Sequence, residues 1–348
     1  MEIDIRGRDV FLVGENGQGK SNFLEALYFC SYASSFRGVR DKDLIKTGEL
    51  HCSAGLSFDN YINSNLSISY REGEKKITLD GKRIEDRKEL LTVAPSIIFC
   101  HEDMDFVAGS PERRRWFFDQ TRSLWDPLYL DDLRKYRYVL KNRNALLRGN
   151  SHDPGLNSML DALDPQLAGY GLELSAKRHE TAQEFSVVFE PLYSEISGIG
   201  GIRVNYYPSW KQQDPQGVMD ILLQKRELDI NMGVSRSGPH RDRYIFTREG
   251  EDFSGKASTG QRRLLALLLR VAQAKVFSEK TGKKPVLLLD DVLLELDGEK
   301  RQKFLALMPE YEQAFYTFLA GEPYEKYLKP GTMVYHVKAG QIMGPGGL

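Results

Sequence analysis

The chain has 348 residues, 41% hydrophobic and 28% charged, enough for one large domain or two lobes with proper cores. A net charge of −1 and a pI near 6.6 exclude a global basic field, so any nucleic-acid contact must come from local clusters. Cys30, Cys52 and Cys100 are an odd number without close pairing and read as reduced thiols, and no apolar run reaches membrane-spanning length, so a soluble cytoplasmic protein is expected.

Met1 to Arg8 lead directly into residues 10–13, an apolar run with the length and β-branching of a buried strand. Gly14-Glu15-Asn16-Gly17-Gln18-Gly19-Lys20-Ser21 follows and fits G-x-x-x-x-G-K-[ST], and Phe23, Leu24, Leu27 and Tyr28 recur at helical spacing. Strand, glycine loop and helix thus stand in the order of a P-loop, which a glycine-rich turn matching by accident would not supply. Gly14, Gly17 and Gly19 let the backbone curl so that its N–H groups face a pocket, and the following helix N-terminus adds partial positive charge. Lys20 can neutralise the β- and γ-phosphates, and the Ser21 hydroxyl can ligate Mg²⁺. The expected ATP-binding stretch is therefore Gly14, Glu15, Asn16, Gly17, Gln18, Gly19, Lys20, Ser21 and Asn22.

Residues 54–58, 66–70 and 76–79 read as short strands, with turn chemistry at Glu72-Gly73 and Asp80-Gly81. Residues 95–99 are another strand. From Pro111 the texture is helical. Residues 127–148 carry an apolar stripe of Tyr129, Leu133, Tyr136, Leu140 and Leu147, beside a basic stripe of Arg134, Arg137, Lys141 and Arg148. Arg143 falls on the apolar stripe and is expected to be paired internally. A polar loop at 149–157 precedes a helical run to about Ser194. Residues 202–207 look extended, 215–228 helical, and 244–247 extended again. A helix at about 260–279, a strand at 285–289, a helix from Gly298 and a last core strand at 314–319 follow. No repeat and no heptad run of coiled-coil length appears.

Pro285-Val-Leu-Leu-Leu-Asp290-Asp291 is an apolar strand ending in two acids. Asp290 is assigned to Mg²⁺ and Asp291 to the attacking water, alongside catalytic Lys20. The plainer alternative is a helix cap with a second acid favouring the dipole. Upstream, Ser258-Thr259-Gly260-Gln261-Arg262-Arg263 opens a helix with a hydroxyl and a glycine, a second anion-binding surface. It resembles the signature motif of ABC-type ATPases, whose serine and glycine contact the γ-phosphate on a facing subunit. In order, P-loop, signature, Asp-Asp strand and Glu295-Leu296-Asp297 reproduce an ABC head.

Further blocks resemble the RecF family, bacterial recombination and replication-repair ATPases. They are Gly14 to Asn22 followed by Leu24-Glu25-Ala26, Ser110-Pro111-Glu112-Arg113-Arg114-Arg115 with Asp119, Arg143-Asn144-Ala145-Leu146-Leu147, and Gly238-Pro239-His240-Arg241-Asp242, together with the signature and acidic strand. Family members usually begin with an additional strand and an asparagine-arginine segment, and Thr317 stands near the switch histidine of ABC transporters. The resemblance implies an α/β fold: an ABC-type, SMC-head-like P-loop ATPase lobe (residues 1–105 and 236–348) with a mostly helical inserted second lobe (106–235) and no long coiled coil. It also implies an ATP-dependent head-to-tail homodimer in which Ser258, Gly260 and Gln261 of one copy cap the ATP held by the other. The expected function is binding of DNA, as duplex or at gaps and single-strand/duplex junctions, in recombinational repair and replication restart within the RecFOR pathway and SOS response, assisting recombinase loading. Slow, DNA-stimulated ATP hydrolysis would act as the switch, and a RecR-like mediator would be a partner. The DNA-contact candidates are Arg113, Arg114, Arg134, Arg137, Lys141 and Arg148, all phosphate readers without base specificity. His240 is expected either to touch nucleotide or to brace its loop. The alternatives are a P-loop small-molecule kinase, which has no need of the serine-glycine corner, and a DNA scaffold that holds ATP without turnover.

Overall fold

The computed structural model describes residues 2–59, 65–149 and 153–344, which divide into two compact units, 1–103 with 266–348 and 104–265. The first unit is built on a six-stranded sheet. Its order is Gln341–Met343, Met333–Lys338, Asp9–Val13, Ala314–Phe318, Val286–Leu289, Ser96–Phe99, parallel throughout except for the first strand. Asp9–Val13 and Ala314–Phe318 are buried at every position, the continuous apolar texture of a parallel sheet covered on both faces. The helix Lys20–Tyr32 packs Leu24 and Tyr28 onto that core beside Val10, Leu12 and Phe315.

A second, antiparallel sheet in the same unit joins His51–Ser57, Asn65–Arg71, Glu74–Leu79 and Lys82–Arg83. The two tight connections put Glu72-Gly73 and Asp80-Gly81 at positive φ, as their sequences foretell. Leu66, Ile68 and Ile77 cover Phe29 and Leu90. One expectation fails here: 314–319 is not the last core strand. Met333–Lys338 pairs parallel with Asp9–Val13, Val10 opposite Met333 and Val13 opposite His336. Its half-buried pattern hid it, because only Tyr335 and Val337 are fully covered.

The second unit is mostly helical. Leu128–Leu147 packs Tyr129, Leu133 and Tyr136 against Leu167 and Leu174 of the 42-residue helix Leu156–Ser197. A three-stranded antiparallel sheet links Ile202–Tyr207, Arg243–Arg248 and Glu251–Asp252. Residues 236–265, placed with the ATP-binding lobe on sequence grounds, cluster within this unit, because Arg243–Arg248 pairs with Ile202–Tyr207. Phe118 stacks on Tyr244 with centroids 4.1 Å apart and meets Phe185 edge-on, forming an aromatic centre. Ser186 closes the free edge of this sheet, its hydroxyl accepting from the Val204 N–H and donating to the Val204 carbonyl, both at 3.0 Å. The expected loop at 149–157 falls partly on residues outside the described ones.

Candidate functional site

The phosphate loop leaves the strand Asp9–Val13 at Gly14, where a Cβ would lie 2.4 Å from the Val337 carbonyl oxygen. Gly17 and Gly19 sit at φ +75° and +108°, backbone that side chains avoid, and Gly19 caps the helix Lys20–Tyr32. The loop is braced from the C-terminal hairpin. Gln18 Oε1 accepts from the Ala339 N–H at 2.7 Å, and the Gly340 N–H donates to the Gln18 carbonyl at 2.9 Å. Lys20 is buried, and its ammonium donates to the carbonyls of Gly14 (2.8 Å) and Glu15 (3.1 Å). A polyphosphate would supply the full charge these neutral oxygens only approximate.

The acidic strand end meets this loop within the same unit. The Ser21 hydroxyl donates to Asp290 Oδ1 at 2.8 Å. Burial pushes the Asp290 carboxyl up, with Ser21 pulling it down, Asp291 adding to the rise, and Arg37 and Thr317 opposing it. Asp291 adopts φ +53°, held by Thr317: the Asp291 N–H donates to Thr317 Oγ1 at 2.8 Å, and that hydroxyl lies 2.8 Å from Asp291 Oδ1 and 3.3 Å from Asp290 Oδ1. Among the described residues no three or more His, Cys, Asp or Glu side chains converge as a metal site. A hydroxyl and one carboxylate, completed by phosphate oxygens and water, form the hard, partly hydrated donor set that suits Mg²⁺. Arg37, absent from the sequence reading, donates to Asn22 Oδ1 at 3.1 Å and pairs with Glu25 at 3.2 Å. No local signal marks it, because its partners lie more than a helical turn away in sequence.

The serine-glycine corner lies in the second unit. Ser258 and Gln261 form a reciprocal capping box: the Gln261 N–H donates to Ser258 Oγ (3.3 Å) and the Ser258 N–H to Gln261 Oε1 (2.8 Å). Ser258, Thr259 and Gly260 are exposed, and a Cβ on Gly260 would meet nothing within 4 Å. Arg262 anchors the corner through the carbonyls of Ser254 (3.0 Å) and Gly255 (3.1 Å). Asp297 caps the helix Gly298–Leu307 by accepting from the Lys300 N–H at 3.0 Å, and the side chain of Glu295 lies outside the described ones.

The arginines sort by environment. Arg134, Arg137, Lys141 and Arg148 are exposed along one side of Leu128–Leu147 and its cap, with Arg134 paired to Asp131 at 3.1 Å and Arg148 Nε on the Asn144 carbonyl. Arg113 is exposed, 3.6 Å from Asp105. Arg114 corrects the expectation: its guanidinium turns inward to the carbonyls of Val107 (2.8 Å) and Tyr244 (3.2 Å), so it is spent on the fold. Arg143 is fully buried as expected, donating to Asp164 (2.7 Å), Asp229 (2.8 Å) and Ser235 (2.8 Å). Arg178 grips Asp119 through two bonds of 2.9 Å and Asp242 at 3.0 Å. His240 braces its loop, accepting at Nδ1 from the Tyr136 hydroxyl (2.8 Å) and donating from Nε2 to the Ser235 carbonyl (2.9 Å). Burial lowers its pKa to about 4 despite the Ser235 contact, with Arg241 and Arg115 lowering it further, so the ring is neutral. The blocks around Asp119, Arg143 and His240 are therefore buried polar networks of this unit.

A model of the RecF/RecN/SMC N-terminal domain matches residues 1–340. The DNA replication and repair protein RecF of Treponema pallidum is 42% identical over 343 residues, spanning 97% of this chain and 95% of that protein. That of Leptospira interrogans is 30% identical, over 98% and 94% of the two chains. A solved structure of the recombination mediator protein RecF with ATP, in the RecFOR pathway, matches with a TM-score of 0.90 at 28% identity, covering 99% of this chain and 93% of that one. An Smc head domain from Pyrococcus furiosus matches at a TM-score of 0.50 and 18% identity, over 97% and 90%, a likeness of fold. No helix among the described residues is long and apolar enough to cross a membrane.

Proposed function

The chain belongs to the RecF family of ABC-type ATP-binding proteins, and from that premise we propose that it is a DNA repair and replication ATPase whose ATP-driven dimer clamps DNA. One ATP with Mg²⁺ binds along Gly14 to Asn22, with Lys20 on the β- and γ-phosphates and Ser21 and Asp290 toward the metal. Asp291 orients the attacking water. The observation that carries this reading is the 2.8 Å contact between Ser21 and Asp290, two residues 269 apart in sequence, beside the buried Lys20 ammonium. It is supported by the exposure of Ser258, Thr259 and Gly260, a corner anchored from behind and open in front, as a surface completing a partner's nucleotide site needs.

Hydrolysis is slow and DNA-stimulated, and it releases the dimer. The mostly helical unit, residues 104–265, forms the DNA-facing lobe, and residues 1–103 with 266–348 form the ATP-binding lobe. Arg113, Arg134, Arg137, Lys141 and Arg148 contact phosphates, which makes binding salt-sensitive and independent of sequence. The protein works in the cytoplasm within a RecFOR-type pathway, with a RecR-like mediator, and assists recombinase loading. Sedimentation velocity tests the core of this. ATP with Mg²⁺ converts monomer to dimer, Lys20→Met and Ser258→Arg each abolish the conversion, and added DNA co-sediments with the dimer. A dimer that persists in Ser258→Arg removes the shared site.

A further inference from the structure

The strands Met333–Lys338 and Gln341–Met343 form a hairpin whose two-residue turn holds Ala339 and Gly340 at φ +50° and +75°. Positive φ at both positions is the tight turn that matches the twist of paired strands. The N–H groups of these two residues, which such a turn leaves outside its own ladder, both go to one residue of the phosphate loop. Gln18 accepts from Ala339 through its side-chain oxygen and from Gly340 through its main-chain carbonyl. The two segments lie close, since a Cβ on Gly19 would stand 3.4 Å from the Gly340 Cα.

The loop needs such a tie. Residues 15–17 are exposed, and the glycines at 14, 17 and 19 leave its backbone many alternative conformations. Among the described residues, the hydrogen bonds that join residues 15–19 to a distant part of the chain run through Gln18. A loop ordered only by its ligand binds more weakly by the entropy of that ordering, and one shaped in advance escapes the loss. We propose that Gln18 is a positioning residue for the nucleotide: clasped to the hairpin turn, it keeps the loop's N–H groups converged on the phosphates without touching the nucleotide itself. This assignment rests on the ATP-binding reading above and adds to it a distant element on which affinity depends. The N–H groups of such a loop serve phosphates that ADP and ATP share, so loss of the clasp weakens both nucleotides by the same factor.

Fluorescence titration of dilute full-length protein with mant-ADP and mant-ATP, each with Mg²⁺, tests this. Gln18→Met keeps the length of the side chain and removes its acceptor, and both nucleotides bind it roughly three- to tenfold more weakly, in equal proportion. Gly340→Ala loosens the clasp from the other side, because its methyl group would meet nothing within 4 Å and strains only the left-handed turn. It loses affinity to a similar extent, and the double variant loses no more than the weaker of the two. Wild-type affinity in Gln18→Met, or losses that multiply in the double variant, overturns the assignment and leaves nucleotide binding standing. A loss confined to ATP does so too, since it places Gln18 on the γ-phosphate. Failure of the wild-type protein to bind either nucleotide overturns both readings.

Discussion

A single buried hydroxyl at Thr317 sets how the two carboxylates of the acidic strand end stand. It receives the Asp291 N–H and contacts the Asp291 carboxylate, which keeps Asp291 in its left-handed conformation. Thr317→Val keeps the shape and removes the bonds. We expect a stability loss of about 1–3 kcal/mol, the cost of an unpaired buried N–H. On the proposed role of Asp291, single-turnover phosphate release slows about tenfold through misplacement of the water, while ATP-driven dimerisation is retained. His240 sets a pH limit instead. Its folded pKa of about 4 lies below the usual 6.5, so the unfolded chain takes up the proton first. Its contribution is complete above pH 6.5 and fades as the pH falls toward 4, by about 3 kcal/mol over that window. Urea midpoints at pH 7 and pH 5 check this: the gap between them narrows in His240→Gln.

At the scale of elements, the capped start of the helix Thr259–Thr281 and the buried ion networks make opposite predictions. A Cβ on Gly260 meets nothing in its own chain, so Gly260→Ala leaves the unfolding midpoint within about 0.5 kcal/mol of wild type. If the corner closes over a partner's nucleotide, the same methyl group weakens the ATP-driven dimer, which sedimentation reads. Arg143→Ala does the reverse. It strands Asp229 in the interior and costs about 3–5 kcal/mol in denaturant titrations. These differences explain what the sequence made legible. The phosphate loop, its strand and its helix are contiguous, so local pattern suffices, and Arg143 betrays its burial by falling on an apolar stripe. Arg114 does not, because nothing local separates it from exposed Arg113. Thr317 and Arg37 act through partners distant in sequence. Met333–Lys338 shows only half-buried alternation, too weak a pattern to mark a core strand.

For the whole molecule, the proposal is a clamp whose grip on DNA is electrostatic and whose closure is driven by nucleotide. Reversing charge at Arg137 and Lys141 together weakens duplex binding uniformly across sequences. Every phosphate left without its cation flattens the slope of log K against log salt by about 0.9. Titrations at several salt concentrations measure it, and unchanged isotherms move the DNA surface elsewhere. The order of strands carries a consequence for biosynthesis. Asp9–Val13 lies between Ala314–Phe318 and Met333–Lys338, so its neighbours are translated about 300 residues after it. At about 5–20 residues per second the nascent chain carries this apolar segment unpaired for roughly 15–60 s, a natural client for chaperones. Competence to grip a nucleotide then arrives only once residues 314–338 have been made, and a product stalled before residue 314 leaves the loop strand without either neighbour.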